Sequence, residues 1–263
     1  MKKLLQVLTV FGVVFGSTCL TARAANLQIR EGRPVVDGVY VNGHGPYKFL
    51  VDTGATLNHI DLRLAKSIGL KEAFHTTLTT SVGATPASGG TGIEVTLGPA
   101  SAINQTFLFA GLDTIQQYLP DVQGILGQDF LSHFDYLLDM RGKQLEFGQR
   151  ELGSKVTQAQ YRMDHGRPVV ATSLGWLVVD SGIQRVTRFG VKATEAAFEL
   201  KTLSGTAQLG SVSSTLTIAV RTFWRGDAMV VPQSPEAGVD GLLPTSLFKS
   251  VYVSNSEGYI AFE

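Results

Sequence analysis

The sequence predicts a mainly β protein built from two similar halves. After the first two dozen residues, short apolar runs rich in β-branched residues alternate with Gly, Asn, Ser and Pro, which is typical of strands joined by turns. Helical periodicity is confined to short pieces. The third observation is an internal repeat, because five sequence elements recur in the same order in both halves.

The first residues have the pattern of a cleaved secretory signal. Lys2-Lys3 precede an apolar stretch from Leu4 to Gly16, and Ala22-Arg23-Ala24 fits an Ala-x-Ala cleavage site. The apolar stretch is too short to span a bilayer. Lipidation of Cys19 is disfavoured, since the residues before it lack the apolar residue of such a site. We expect a signal peptide over residues 1–24, a secreted or periplasmic mature protein, and no integral membrane segment after cleavage.

Composition narrows the class of protein. Cys19 is the only cysteine, so the mature chain of about 240 residues can form neither a disulfide nor a thiolate metal site. Without Lys2, Lys3 and Arg23, 19 basic residues face 22 acidic ones, a net charge of −3. The absence of a basic run argues against nucleic acid as a partner. The five histidines show no spacing typical of metal ligands, and we predict neither a metal nor a cofactor.

The internal repeat defines the predicted domain organisation. Gly32–Val36 recurs letter for letter as Gly166–Val170, and an Asp-hydroxyl-Gly unit recurs at Asp52 and Asp180. Three further elements recur in the same order: Thr80-Ser81-Val82-Gly83 as Thr202-Leu203-Ser204-Gly205, Gly124-Ile125-Leu126-Gly127 as Gly241-Leu242-Leu243-Pro244, and a closing strand pair, Tyr136–Leu138 with Gln144–Phe147, as Tyr252–Val253 with Tyr259–Phe262. We predict two lobes, residues 25–152 and 153–263, joined by a polar segment near residues 148–159.

Each of the two aspartates ends an apolar strand. Phe49-Leu50-Val51 runs directly into Asp52, and Trp176-Leu177-Val178-Val179 runs into Asp180. A small hydroxyl residue and a glycine follow both, as in a sharp turn. Burying a carboxylate without partners is costly, so two such groups indicate a pair that shares one site. The alternative, that each Asp only caps a turn, is disfavoured by the duplicated context.

Three short helices are expected among the strands. Apolar residues on one face predict a helix from Asp61 to Ile68, ended by Gly69. Phe130–Phe134 and Leu247–Val251 are each predicted to form one or two helical turns.

These motifs together resemble those of the pepsin- and retropepsin-type aspartic proteases. Val51–Thr56 followed by Gly124–Leu131 looks most like the retropepsin-like bacterial aspartyl proteases. The whole chain resembles two such units joined one after the other. The resemblance covers Asn26–Phe147 and, more loosely, Gly166–Phe262. It implies an all-β, two-lobed pepsin-like acid-protease fold made of two retropepsin-like β-barrel lobes with short helices. It also implies a monomeric aspartic endopeptidase that acts on polypeptide substrates.

The resemblance assigns roles to particular residues. Asp52 and Asp180 would be the catalytic pair, sharing one proton and activating a water between them. Thr53 and Ser181 would lock the two loops by hydroxyl-to-backbone hydrogen bonds. Other residues would support the loops or form flaps over an extended substrate: Gly54, Ala55, Gly182, Ile125, Leu126 and Gly127 as support, and Ser81, Val82, Gly83, Ala84, Ser204 and Gly205 as flap and substrate-binding residues.

The second half departs from the family pattern in two places. Ile183 follows Asp180-Ser181-Gly182 where the family usually has a small residue, and Pro244 stands where the apolar element normally ends in Gly. These departures keep open an alternative function, an inactive protein that binds extended peptides. Pairing of each half with another chain is disfavoured, because one chain already holds both halves.

A mild pH optimum is a further expectation. Strongly acidophilic members often carry Ser or Thr after the Asp-hydroxyl-Gly unit, where the hydroxyl can donate to the carboxylate. Ala55 and Ile183 cannot donate, and loss of a donor to the charged form raises the pKa of the pair. We therefore expect a weakly acidic to near-neutral optimum.

Overall fold

A computed structural model describes residues 24–80, 83–202, 205–235 and 237–263. The predicted signal peptide, apart from Ala24, lies outside the described residues, and so do the predicted flap residues Ser81, Val82 and Ser204. None of the helices in these ranges is long and apolar enough to cross a membrane.

The described residues form twenty strands, three short α-helices and one 3-10 turn. The strands are β1 (Ala24–Arg30), β2 (Arg33–Val41), β3 (His44–Val51), β4 (Asn58–Asp61), β5 (Phe74–Thr80), β6 (Gly83–Leu97), β7 (Ala100–Ala110), β8 (Gly124–Leu126), β9 (Tyr136–Asp139), β10 (Gln144–Phe147), β11 (Thr157–Asp164), β12 (Arg167–Thr172), β13 (Gly175–Asp180), β14 (Thr187–Phe189), β15 (Glu195–Thr202), β16 (Gly205–Ile218), β17 (Arg221–Val231), β18 (Gly241–Pro244), β19 (Ser250–Ser254) and β20 (Tyr259–Phe262). The helices are α1 (Leu62–Ser67), α2 (Asp113–Gln116) and α3 (Gln128–Leu131), and the 3-10 turn is Thr245–Leu247.

Strands β2–β8 and β12–β18 repeat one topology, and we call these two sets the first and second lobes. In the first lobe, β3 runs parallel to β8, and β4 lies between β8 and β7. In the second lobe, β13 runs parallel to β18, and β14 lies between β18 and β17. The predicted duplication is therefore confirmed at the level of strand pairing. The predicted boundary at residue 152 falls between β10 and β11 and stays a prediction.

A six-stranded antiparallel sheet joins the two lobes, in the order β1-β10-β9-β19-β20-β11. Its central pair, β9 and β19, comes from the two halves and sets Leu138 opposite Val251. The predicted closing strand pairs are confirmed as β9 with β10 and β19 with β20. The halves are thus held together by backbone hydrogen bonds across their junction as well as by side chains.

The predicted helices have mixed outcomes. The helix from Asp61 to Ile68 is confirmed, because the Asp61 carboxylate accepts hydrogen bonds from the first amides of α1 and Gly69 follows with φ of 74°. α3 begins two residues before the predicted Phe130. The predicted helix over Leu247–Val251 is wrong, since a 3-10 turn ends at Leu247 and β19 begins at Ser250. The β-branched and aromatic residues of β19 gain more from completing the interlobe sheet than from helical turns.

A buried histidine gives the fold a pH-dependent stability. His59 on β4 is 6 % exposed, its Nδ1 has no hydrogen-bond partner among the described residues, and burial lowers its pKa to about 4. Below pH 6.5 the imidazole of His59 is protonated in the unfolded chain, whereas in the folded chain it stays neutral down to about pH 4. We expect His59 alone to remove about 3 kcal/mol of unfolding free energy between pH 6.5 and pH 4.

The variant His59→Phe tests this expectation, with the exposed His44→Gln as its control. Urea unfolding at a series of pH values should show a shallower loss of unfolding free energy for His59→Phe than for the control. The comparison uses slopes, so a constant packing cost of the larger ring does not affect it. Parallel curves for the two variants would contradict the assignment.

Candidate active site

The two predicted aspartates meet where the lobes join. Asp52 directly follows β3 and Asp180 is the last residue of β13, each beside the parallel strand of its own lobe. Their carboxyl groups lie within hydrogen-bonding reach of each other. Asp180 is buried, whereas Asp52 keeps partial access to solvent. The tertiary fold therefore brings together two groups that are 128 residues apart.

Thr53 and Ser181 connect the two aspartate loops by a symmetric set of hydrogen bonds. The Thr53 hydroxyl donates to Val179 O (2.7 Å) and accepts from Ser181 N (3.0 Å). The Ser181 hydroxyl donates to Val51 O (2.6 Å) and accepts from Thr53 N (3.0 Å). Both side chains are fully buried, so loss of any bond would leave an unpaired polar group. This arrangement fixes the two carboxylates relative to each other.

The glycines of the two loops contact the carboxylates in two ways. Gly54 N donates to Asp52 Oδ1 (2.9 Å), and Gly182 N donates to Asp180 Oδ1 (2.8 Å). Each glycine also lies against the aspartate of the other lobe. A Cβ on Gly182 would stand 2.5 Å from Asp52 Oδ2, and a Cβ on Gly54 would collide with the Asp180 carboxylate. Only glycine permits this close approach.

Burial dominates the electrostatics of the pair. It raises the pKa of Asp52 above its ordinary value, while the Gly54 amide and the bond to Asp180 act in the opposite direction. Burial, followed by the negative charge of Asp52, holds the pKa of Asp180 well above its ordinary value. Among the described residues, no side-chain hydroxyl donates to either carboxylate. The two carboxyl groups therefore titrate as one coupled pair that can share a single proton.

The apolar elements that recur in the two halves, of which the first was predicted as support, lie directly beside the aspartate strands. Ile125 and Leu126 of β8 pair with Leu50 and Val51, and Leu242 and Leu243 of β18 pair with Val178 and Val179. All four support residues are buried. Gly127 follows β8 and lies so close to the carbonyls of Ala55 and Leu57 that a Cβ would collide with them.

The second lobe solves the same packing problem differently, which accounts for Pro244. The Gly127 amide needs an acceptor and donates to Asn58 Oδ1 (3.0 Å), a fully buried side chain on β4. Strand pairing sets Pro244 at the position of Gly127 and Val186 at the position of Asn58. Proline has no amide hydrogen to satisfy, so the buried valine leaves no donor unpaired.

The sequence interpretation missed the polar groups that hold the first loop from behind. Gln128 Nε2 donates to Thr53 O (2.8 Å), and Gln105 Oε1 accepts from Asn58 Nδ2 (3.1 Å). Gln128 and Gln105 are buried. Gln128 could have been found, because it directly follows the Gly-Ile-Leu-Gly element. Asn58 and Gln105 carry no sequence signal, since only tertiary folding brings them together.

The residues after the two loop glycines pack into their own lobes. Ala55 contacts an apolar cluster of the first lobe, and its carbonyl accepts from Gln128 N (2.8 Å). Ile183 packs against the apolar cluster of the second lobe that includes Val169 and Val178. The larger Ile183 side chain is therefore accommodated on the core side of its loop.

The predicted flap residues that the structure describes, Gly83, Ala84 and Gly205, lie at the starts of β6 and β16 in two long hairpins. β5 pairs with β6 up to Thr80 and Gly83, and β15 pairs with β16 up to Thr202 and Gly205. Gly83 and Ala84 are exposed at the start of β6. The structure does not test a contact between these residues and a substrate, and their flap role stays a prediction.

Comparisons with known proteins agree with this geometry. Residues 38–130 match the sequence model of a family described as aspartyl protease. No characterised protein compared by sequence gives a significant match. The crystal structure of the aspartic proteinase from Irpex lacteus is similar to this chain with a TM-score of 0.53 and 14% sequence identity, covering 92% of this chain and 96% of that one.

The family match and the structural likeness cover different parts of the chain. The family match spans Asp52 and the Gly124–Gly127 element of the first lobe, whereas the structural likeness extends through the second lobe. The predicted all-β, two-lobed fold is confirmed. The chain thus has the fold of the pepsin-like aspartic proteases, with the sequence signature of an aspartyl protease in its first lobe.

Proposed function

We propose that the chain is an aspartic endopeptidase that hydrolyses peptide bonds with a water activated between Asp52 and Asp180. The observation that carries this proposal is the symmetric meeting of the two carboxylates, each held by its own glycine amide and linked through the Thr53 and Ser181 hydroxyls. A pair that shares one proton supplies an ionised carboxylate as the base and a protonated carboxyl as the acid. Hydrolysis of this kind requires both groups to reach the same water molecule.

We assign the two roles by burial, because burial disfavours the charged form of the less exposed group, Asp180. Asp52, which keeps solvent access, takes a proton from the water as the water oxygen attacks the scissile carbonyl carbon. Asp180, which carries the shared proton, donates it to the carbonyl oxygen, so that a neutral tetrahedral diol forms. The proton on Asp52 then passes to the leaving nitrogen as the carbon–nitrogen bond breaks, and one diol hydroxyl returns its proton to Asp180. The pair ends with one proton, as it began.

The expected substrate is polypeptide in an extended conformation. The β5–β6 and β15–β16 hairpins offer strand edges that an extended segment could extend by backbone hydrogen bonds. Both carboxylates come from one chain, which supports action as a monomer.

A cleavage assay tests the proposal. The purified chain from residue 25 onward is incubated with an unstructured polypeptide, and the fragments are identified by mass spectrometry. Internal cleavage that a statine-type transition-state mimic blocks is the expected result. Cleavage insensitive to the mimic, or confined to chain ends, would contradict an aspartic endopeptidase.

An inactive peptide-binding protein is the second candidate, and one observation favours it. Among the described residues, the second loop has no counterpart of the bond from Gln128 to Thr53 O, because register places Thr245 at the position of Gln128 and its buried Oγ1 has no hydrogen-bond partner. A less firmly held Asp180 loop could bind peptide without cleaving it. Binding of the mimic by a wild-type chain that cleaves nothing would select this candidate.

We also propose that the protein is exported. The basic residues Lys2-Lys3, the short apolar stretch and the Ala-x-Ala site support this proposal. Cleavage after Ala24 or Ala25 would leave the β1–β2 pairing from Leu27 onward intact. Expression of the full chain followed by determination of the mature N-terminus in the exported fraction tests it, and retention of Met1 in the cytoplasm would refute it.

A further inference from the structure

Arg33 reaches from the first lobe into the loop that follows Asp180. It is the first residue of β2, and its Nε donates to Gly182 O at 2.7 Å. The Arg33 side chain is only 15% exposed, so solvent screens its charge weakly. This is a charge-assisted hydrogen bond between the lobes, formed at one of the two glycines that contact the aspartates.

Among the described residues, few groups neutralise the Arg33 charge. Its guanidinium lies over the Tyr118 ring, 4.9 Å from the centroid. Glu31 Oε2 is 3.8 Å from Arg33 Nη1, beyond hydrogen-bond distance, and the Glu31 side chain is 58% exposed. A solvated carboxylate at this separation compensates the guanidinium only in part.

The β1–β2 turn that carries Arg33 is anchored to the opposite lobe. Gln184 Nε2 donates to Glu31 O, two residues before Arg33. The equivalent bond in the other direction joins Thr56 Oγ1 to His165 O at 2.7 Å. These reciprocal bonds fix the turn, so the guanidinium is held in place relative to the second aspartate loop.

The position of Gly182 carries the effect of Arg33 to the aspartates. Gly182 lies so close to Asp52 that a Cβ would stand 2.5 Å from its Oδ2. Gly182 therefore contacts both the Arg33 guanidinium and the Asp52 carboxylate. A positive charge at this position favours the ionised form of Asp52. Against the dominant effect of burial, the charges of Arg33 and Arg167 both lower the pKa of Asp52, and Arg167 also lowers that of Asp180.

We propose that Arg33 is a positioning residue that holds Gly182 against Asp52 and sets the pH range in which the aspartate pair carries one negative charge. In the part of the chain that the structure describes, the charged and titratable groups that face the pair are Arg33, Arg167 and the phenol of Tyr118, with Glu31 behind Arg33. Burial raises the pKa of Tyr118, so it stays neutral in this range. Removal of the Arg33 charge disfavours both ionisation steps, so both limbs of the pH profile move to higher pH.

The variant Arg33→Gln tests the charge, because glutamine keeps a donor for Gly182 O but is neutral. We expect both limbs of the kcat/KM profile to move upward by about 0.5 to 1 pH unit at low ionic strength. Arg33→Lys keeps the charge and should leave the limbs in place while lowering kcat/KM. Arg162→Met is the matched control, since Arg162 also stacks on an aromatic ring (Trp176) and donates to a carbonyl (Gly238) away from the aspartates.

Two further measurements test the role of Arg33 without relying on the folding of Arg33→Gln or on peptide cleavage. Glu31→Gln removes an exposed negative charge beside Arg33, so the limbs should move slightly downward even if Arg33→Gln fails to fold. The role rests on the proposed function, but the pH dependence of statine-mimic binding reports the charge of the pair without any cleavage. If the chain cleaves no peptide but Arg33→Gln still shifts the pH limbs of mimic binding, the endopeptidase function is refuted and the proposed role of Arg33 is supported. Unmoved limbs in Arg33→Gln, or equal shifts in Arg162→Met, would overturn the role of Arg33.

Discussion

Replacement of either Asp52 or Asp180 by Asn should reduce peptide cleavage by at least about 10³-fold. Asn is nearly isosteric and can still accept the bond from Gly54 N or Gly182 N, so the loops should keep their geometry. It can neither take a proton from water nor share one with its partner. Because the two carboxylates act as one unit, the double variant should be no slower than the slower single variant.

The stability of these variants separates loss of chemistry from loss of fold. A carboxyl group whose pKa is raised by folding destabilises the folded state once the pH exceeds the ordinary Asp pKa of 3.8. Asp180→Asn should therefore unfold at a higher urea concentration than the wild type at pH 7. Asp113→Asn, at a side chain 79% exposed, is the control for both readouts. Cleavage that survives in Asp180→Asn would remove the second lobe from the chemistry.

Gly182→Ala should reduce cleavage by at least about 10²-fold without changing any ionisable group. The added Cβ would stand 2.5 to 2.9 Å from three atoms of the Asp52 carboxyl group. Asp52 cannot simply rotate away, because it is held by Gly54 N and by its partner aspartate. Either the carboxylate or the loop must move, and both movements separate the pair from its productive geometry.

Gly153→Ala provides the matched control for this substitution. A Cβ added at Gly153 would have no atom within 4 Å, and the residue has no left-handed φ, so alanine should be tolerated there. Steady-state cleavage and urea unfolding of both variants form the measurement. Wild-type activity in Gly182→Ala would show that the close approach of the loop to Asp52 is not needed.

Much of the fold could be predicted because its determinants are local or repeated. The apolar runs before Asp52 and Asp180 end in buried strand residues, and the helix after Asp61 ends at the predicted Gly69. The duplication of the topology follows from five recurring elements. The helix predicted over Leu247–Val251 is wrong because the apolar residues of this segment fit a helix and a strand equally well. Only the pairing of β19 with β9, from the other half, makes it a strand.

The sequence predicts the aspartates of the candidate site and their hydroxyl neighbours, but not the side chains that hold the aspartate loops from behind. Asp52, Asp180, Thr53 and Ser181 stand in a recurring motif, so their juxtaposition could be expected. The Asn58–Gly127 bond could not, because it joins residues 69 positions apart without any motif. From the sequence alone Pro244 is only a departure from the family pattern, because no motif links it to Val186. Its match with Val186 becomes visible only when the strands of the two lobes are compared in register.

The pH dependence of kcat/KM tests the shared proton most directly. The wild-type chain is assayed on one peptide from about pH 2 to about pH 9. A pair that works with one proton predicts a bell, with an acid limb where both carboxyls are protonated and an alkaline limb where both are ionised. Because burial raises the pKa of both carboxyls and neither Ala55 nor Ile183 can donate a hydroxyl, we expect the maximum at weakly acidic to near-neutral pH. A rate that still climbs below pH 3, or a profile with a single limb, would contradict a proton-sharing Asp52–Asp180 pair of raised pKa.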